Sequence, residues 1–237
     1  MTITASVKKG LKYFDLDISF CFPKKEMMVM IGPSGGGKTT VIRILAGLDR
    51  PDEGRVMFGD EVWFDSARGI NLAPQKRRLG YVFQDYNLFP HLNLFDNAAF
   101  AAVDKKQVDE LFEIFKISHL KKRKPHMVSG GERQRCAICQ ALARHPRILL
   151  LDEPFSALDA MTRRGLREEL KNLKKNMSFP IIYVTHDITE ALYLADELLP
   201  VVEGKIDDRW MQRMMTREPS GEVSLRAARE PRLSLVY

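Results

Sequence analysis

The 237-residue sequence has no apolar stretch of membrane-spanning length. Its longest apolar runs, such as MMVMI (27–31) and ILLL (148–151), fall far short of the roughly 18 residues that a transmembrane helix needs, so the chain is not expected to cross a bilayer. The N-terminal stretch MTITASVKKG lacks the apolar block of about 7–15 residues found in a secretory signal, which makes a cytoplasmic location the expectation. Cysteine is scarce, with three in all. Cys21 stands alone, and Cys136 and Cys139 have no second Cys or His pair, so they are expected to pack in a helix and not to hold a metal or a redox bond. Internal repeats and low-complexity segments are missing. The densest basic run, KKRK (121–124), has no interleaved aromatics and reads as a solvated loop. The net charge of +6 does not by itself choose among nucleic acid, an anionic membrane surface and an anionic nucleotide.

What is present suggests one large α/β domain with a subdomain. In FDLDISFCF (14–22), Phe14, Leu16, Ile18, Phe20 and Phe22 alternate with mostly polar residues, the period of a strand with one buried face, and this stretch is expected to open an antiparallel lobe. MMVMI is apolar without alternation, as in a strand buried on both faces, and leads through glycines into TTVIRILAGL, a helix closed by Gly47. Further strands are expected at 55–58, 79–83, 147–151, 181–184 and 197–202. Their alternation with helices predicts a mostly parallel sheet covered on both faces. Between about 91 and 145 no strand pattern appears. Val108, Leu111, Phe112 and Phe115 fall at helical spacing there, so a small helical subdomain is expected.

GPSGGGKT (32–39) matches GxxxxGK[ST] after a buried strand and at a helix start. Gly35, Gly36 and Gly37 let backbone N–H groups cradle phosphate oxygens, Lys38 neutralises the β and γ charges, and the Thr39 hydroxyl suits Mg²⁺. RILLLDEP (147–154) ends a second buried strand in two carboxylates. Asp152 can hold Mg²⁺ through water, and Glu153 is suited to polarise a water that attacks the γ-phosphate. Gln84 and His186 each follow a strand end. VSGGERQR (128–135) places Ser129, Gly130 and Gly131 before a helix. One capping serine serves a helix start, so folding alone is not expected to require both glycines, whereas bare backbone there suits an anion.

Taken in order, GPSGGGKTT, Gln84, VSGGE, RILLLDEP, SALD (156–159) and His186 resemble the ATP-binding subunit of an ABC transporter over about residues 14–206. That resemblance implies a P-loop NTPase (RecA-like) core within a cassette spanning 1–206. It implies ATP and Mg²⁺ as cofactors, and nucleotide contacts from Gly32, Pro33, Ser34, Gly35, Gly36, Gly37, Lys38, Thr39 and Thr40. It also implies a head-to-tail homodimer in which Ser129, Gly130, Gly131 and Glu132 face the partner's ATP and Asp159 couples the two sites. Glu153, His186, Gln84 and Lys38 take the catalytic roles, and Thr39, Gln84 and Asp152 the metal. Two features depart from the family pattern: Glu132 stands where Gln is usual, and no aromatic lies at the spacing expected for stacking on adenine, which leaves Tyr13 as the substitute, because the alternation of Phe14 with other buried positions assigns it to core packing.

Within the family, residues 69–100 most resemble molybdate or tungstate importer ATPases, with sulfate, iron and polyamine importers sharing much of the segment. Transmembrane permease subunits are the implied partners, contacted around Tyr86, Leu88, Phe89 and Leu92, although core packing competes for Leu88 and Leu92. A solute-binding protein is implied indirectly, and the implied location is the cytoplasmic face of the cell membrane. A soluble cassette acting on nucleic acid is the competing class, but no nucleic acid is expected, because Lys38 and Ser129 lie too close in sequence to hold a coiled-coil insertion or a second cassette between them. A P-loop kinase leaves the signature stretch unexplained. Residues 207–237 are expected to form a short helix through Trp210, Met211, Met214 and Met215, packed on the core, and then a tail too polar to make a separate regulatory domain.

Overall fold

The structure, a computed structural model, describes residues 2–23, 26–217 and 232–233. In chain order, strands β1 (Ile3–Gly10), β2 (Asp15–Phe22) and β3 (Met27–Ile31) precede helix α1 (Lys38–Ala46). Strands β4 (Glu53–Phe58), β5 (Glu61–Asp65), β6 (Ile70–Asn71) and β7 (Gly80–Val82) follow. Helices α2 (Leu94–Ala99), α3 (Lys105–Ile114) and α4 (Gly130–Leu142) lead to β8 (Leu149–Asp152), α5 (Ala160–Asn176), β9 (Ile181–Thr185) and α6 (Ile188–Leu194). Last come β10 (Glu197–Val202), β11 (Lys205–Ile206), α7 (Asp208–Arg217) and β12 (Arg232–Leu233). Among the described residues, no helix is long and apolar enough to cross a membrane.

The chain divides into two compact units, one formed by Met1–Arg77 with Ile182–Tyr237 and the other by Arg78–Ile181. The first holds an antiparallel sheet in the order β2-β1-β4-β5-β6. Alternation dictates its buried face: Ile3, Ala5 and Val7 of β1 and Leu16, Ile18, Phe20 and Phe22 of β2 are buried, and the residues between them are mostly exposed. In the same unit β3 pairs in parallel with β10, Val29 opposite Leu198, and all five β3 residues are buried, which explains its unbroken apolar run. Helix α1 ends at Gly47, whose φ of 76° makes the left-handed cap.

The first unit also buries a cation. Arg77 is 1% exposed, and its guanidinium donates to the carbonyls of Ile44, Leu45, Trp63 and Leu72 and to Asn71 Oδ1. Burial lowers its pKa to about 10, so it is still charged at neutral pH and stabilises the carbonyl end of α1. In α7, Met211 is buried and Trp210 and Met214 are half-buried; the tail expected beyond Arg217 lies outside the described residues except for Arg232–Leu233, which pair in parallel with Glu197–Leu198 of β10.

In the second unit β7 pairs in parallel with β8, Tyr81 opposite Leu150. Helices α2, α3 and α4 occupy most of residues 94–142, and Val108, Leu111, Phe112 and Phe115 are all buried, as their spacing predicts. The compact unit reaches beyond this helical stretch to include β7, β8 and α5. Cys136 and Cys139 are buried in α4, and the Cys136 thiol donates to the Leu94 carbonyl at 3.3 Å. Burial pushes the Cys136 thiol up to about 12 and raises that of Cys139, so both act as small packing groups.

Candidate functional site

The phosphate loop of the first unit leaves β3 at Gly32. A β-carbon on Gly32 would lie 2.0 Å from the Val201 carbonyl oxygen of β10, so only glycine fits. The loop closes with Gly36 N–H donating to the Pro33 carbonyl at 3.1 Å, and Gly204 N–H donates to the Gly36 carbonyl at 3.0 Å. Gly37, at φ 99°, starts α1 without a side-chain cap and without an acidic residue in the first turn, which leaves the positive end of the helix to an anion. Lys38 is 3% exposed, and its Nζ donates to the carbonyls of Gly32 (2.9 Å) and Pro33 (2.8 Å). The cation thus braces the loop from inside. Pro33, Ser34, Gly35 and Thr39 are exposed and Thr40 is half-buried.

Beside this loop, Phe14 and Tyr13 differ. Phe14 is half-buried, its Cε2 lies 3.4 Å from where a Gly37 β-carbon would sit, and with Asp15 and residues 202, 203 and 205–207 it lines a cavity of about 470 Å³. Tyr13 is 82% exposed, with Lys12 Nζ 5.0 Å from its ring centroid. His186, also in this unit, is exposed just past β9. The turn that presents it is held by Thr185, whose hydroxyl donates to Glu190 at 2.6 Å and accepts from Asp187 N–H at 3.0 Å, while Asp187 caps α6.

In the second unit the acidic pair is split by its surroundings. Asp152 ends β8 at 5% exposure and accepts a hydrogen bond from the Tyr81 hydroxyl at 3.1 Å. Glu153 is half-buried at φ 44°, a left-handed conformation that costs a non-glycine residue about 1–3 kcal/mol and is retained mostly at functional positions. Its carbonyl accepts from Ser156 N–H (3.2 Å) and hydroxyl (2.9 Å). Gln84, two residues past β7, is exposed. Tyr86, Leu88, Phe89 and Leu92 are all half-buried. Phe89 packs on Phe100 with centroids 4.6 Å apart, and its backbone N–H and C=O are both held by the wholly buried Asn97.

The signature segment corrects one expectation from the sequence. Packing favours glycine at 131: a β-carbon there would lie 2.5 Å from Thr162 Cγ2 of α5, so the threonine side chain would have to shift, and one on Gly130 would lie 3.2 Å from Leu158. Ser129 caps α4 in a capping box, with Glu132 Oε2 accepting from Ser129 N–H (2.7 Å) and hydroxyl (2.8 Å) and Glu132 N–H donating to Ser129 Oγ (3.3 Å). Burial opposes ionisation of Glu132, but the Ser129 donors and the positive charges of His119 and Arg135 hold its carboxyl below the usual range. Asp159 caps α5 by accepting from the N–H groups of Thr162 (3.0 Å) and Met161 (3.1 Å), bonds that lower its pKa. The two caps and the glycine contacts make Ser129–Gly131 and Leu158–Thr162 one packed block.

A family model described as ABC transporter matches residues 16–156. The chain is 40% identical over 223 residues to the molybdenum import ATP-binding protein ModC of Vibrio parahaemolyticus, covering 91% of this chain and 61% of the relative. It is 42% identical over 217 residues to the sulfate/thiosulfate import ATP-binding protein CysA of Yersinia pestis, covering 86% and 58%. The chain thus spans less than two thirds of either relative. Among solved structures it is similar to the dimeric ATP-binding cassette MJ0796 in a post-hydrolysis state bound to ADP and Pi, with a TM-score of 0.73 and 27% identity over 87% of this chain and 97% of that one.

Proposed function

Because the chain belongs to the ABC transporter family, we propose that it is the ATP-binding and ATP-hydrolysing subunit of an importer, working as a head-to-tail homodimer on the cytoplasmic face of a membrane. The observation that carries this reading is the phosphate loop, where an uncapped helix start, glycines and a buried lysine together suit a triphosphate. Lys38 balances the β- and γ-phosphate charge. A bound Mg²⁺ would be held by Thr39, Asp152 and Gln84 and would supply neutralisation of the phosphate charge. The donors present fit it: the Thr39 hydroxyl, the Asp152 carboxylate and the Gln84 amide are hard oxygen ligands, and among the described residues no group of three or more His, Cys, Asp or Glu forms a closed metal cage.

Glu153 accepts a proton from the attacking water as the water oxygen bonds to the γ-phosphorus. The bond from that phosphorus to the β,γ-bridging oxygen breaks, ADP leaves with the bridging oxygen, and phosphate is the second product. Gln84 orients the water, and His186 stabilises the transferring phosphoryl group. The partner's Ser129, Gly130 and Gly131 contact the γ-phosphate, and Asp159 couples the two sites. The segment Tyr86–Leu92, in which Tyr86, Leu88, Phe89 and Leu92 are half-buried, docks permease subunits, which a solute-binding protein supplies.

Molybdate is the favoured cargo, by likeness to the molybdenum import relative of Vibrio parahaemolyticus, and tungstate is kept beside it on the resemblance of residues 69–100. Sulfate is the second reading, favoured by the 42% identity to the Yersinia pestis relative. The cognate binding protein would separate them by which oxyanion it retains. For the ATPase itself the test is Glu153→Gln, which should keep ATP binding, lower hydrolysis by about 10²-fold or more and accumulate an ATP-bound dimer on size-exclusion chromatography. Hydrolysis at the unaltered rate by a monomer would overturn the proposal.

A further inference from the structure

Serine has one hydroxyl proton, and in Ser129 that proton is committed to the Glu132 carboxylate at 2.8 Å. The same carboxylate oxygen takes the Ser129 N–H at 2.7 Å, so both donors of the residue end on one charged group. Capping does not require the charge, because glutamine at this third helical position completes the same box. What the charge adds is strength, since hydrogen bonds to an ionised acceptor are shorter and roughly twice as strong as neutral ones. His119 and Arg135 lie close enough to favour the ionised carboxylate. The competitor for these donors is another anion.

We propose that Glu132 is a positioning residue that sets the resting state of the signature segment, holding the Ser129 hydroxyl and N–H so that a nucleotide γ-phosphate gains them only by displacing the carboxylate. This rests on the reading that Ser129 serves the ATP of a second copy of the chain. Carboxylate and phosphate then compete for the same two donors, and Glu132 raises the nucleotide concentration at which two cassettes close. It acts through Ser129 and needs no contact with ATP.

The test is steady-state ATP hydrolysis by the full chain with Glu132→Gln, Ser129→Ala and the double variant, alongside thermal melting. Glu132→Gln should lower the KM for Mg-ATP by about fivefold, as expected when a charged acceptor becomes neutral, with kcat changed much less. In the Ser129→Ala background, where only the backbone N–H remains for the carboxylate to hold, the same substitution should lower KM much less. An equal fall in KM without the serine hydroxyl would mean that the charge repels phosphate directly, and positioning would be wrong. An unchanged KM in Glu132→Gln, with or without a lower melting temperature, would reduce the residue to a helix cap. If Ser129→Ala alone kept the KM and rate of the parent chain, the underlying reading of the signature would fail first, and separately.

Discussion

Gly131 and Thr162 approach so closely that a β-carbon on the glycine would lie 2.5 Å from the threonine methyl, while the threonine Cβ would be 4.0 Å away. The contact ties the first turn of α4 to the first turn of α5. Gly131→Ala should therefore destabilise the chain by about 1–3 kcal/mol through overpacking. For a chain of this size that is about 2–4 °C in melting temperature per kcal/mol. Thr162→Ser removes the offending methyl and keeps the hydroxyl, so the double variant should recover the loss and gain slightly, because alanine is the better helix former. Melting curves of the two single variants and the double decide it: if Thr162→Ser fails to rescue, the glycine is there for another reason.

The caps of α4 and α5 predict an acid limit to stability. Glu132 and Asp159 both have folded-state pKa values below their ordinary ones, so the folded state binds fewer protons than the unfolded state in the acid range. Their contribution is fully present above the ordinary carboxylate range and is lost as pH falls through their lower folded values. Glu132→Gln with Asp159→Asn keeps both caps, since Gln and Asn fill those positions, but removes the titration. Urea unfolding from pH 6 down to pH 3 should show a shallower loss of stability in this double variant. Parallel curves would mean that the acid sensitivity arises elsewhere.

How much of this was legible in the sequence depended on whether the signal was local. Strands β2, β3, β9 and β10 announce themselves by alternation or by unbroken apolar runs, and α3 by its 3.6-residue period. Strand β1 carries the same alternation at Ile3, Ala5 and Val7, although the expectation of an antiparallel lobe rests on residues 14–22 alone. β6 and β11 are two residues each and have no period to detect. At the site, the phosphate loop and the acidic pair are readable because their spacing is fixed by the chemistry. The Tyr81–Asp152 bond is not, because it depends on the parallel register that sets Tyr81 beside Leu150. Nor is the second role of Gly131: nothing in VSGGERQR reveals that Thr162 will press on it. Gly131 therefore meets a packing constraint in addition to the anion contact proposed for it.

The proposed head-to-tail arrangement makes a prediction that no rearrangement within one subunit can imitate. Lys38 belongs to the phosphate loop and Ser129 to the signature segment, and in a sandwich each nucleotide takes the lysine of one copy and the serine of the other. In a dimer of one Lys38→Ala and one Ser129→Ala subunit, both lesions then fall on the same nucleotide and the second nucleotide keeps an intact lysine and serine. If each subunit instead used its own signature, both nucleotides would be damaged. Differently tagged subunits, mixed and purified through both tags, should therefore hydrolyse ATP faster than either altered homodimer. The gain should be large, since removing a group that stabilises transition-state charge costs about 10²–10³ in rate. Activity no higher than in the two homodimers would count against the sandwich, and with it against the assignment of Ser129 to the partner's ATP.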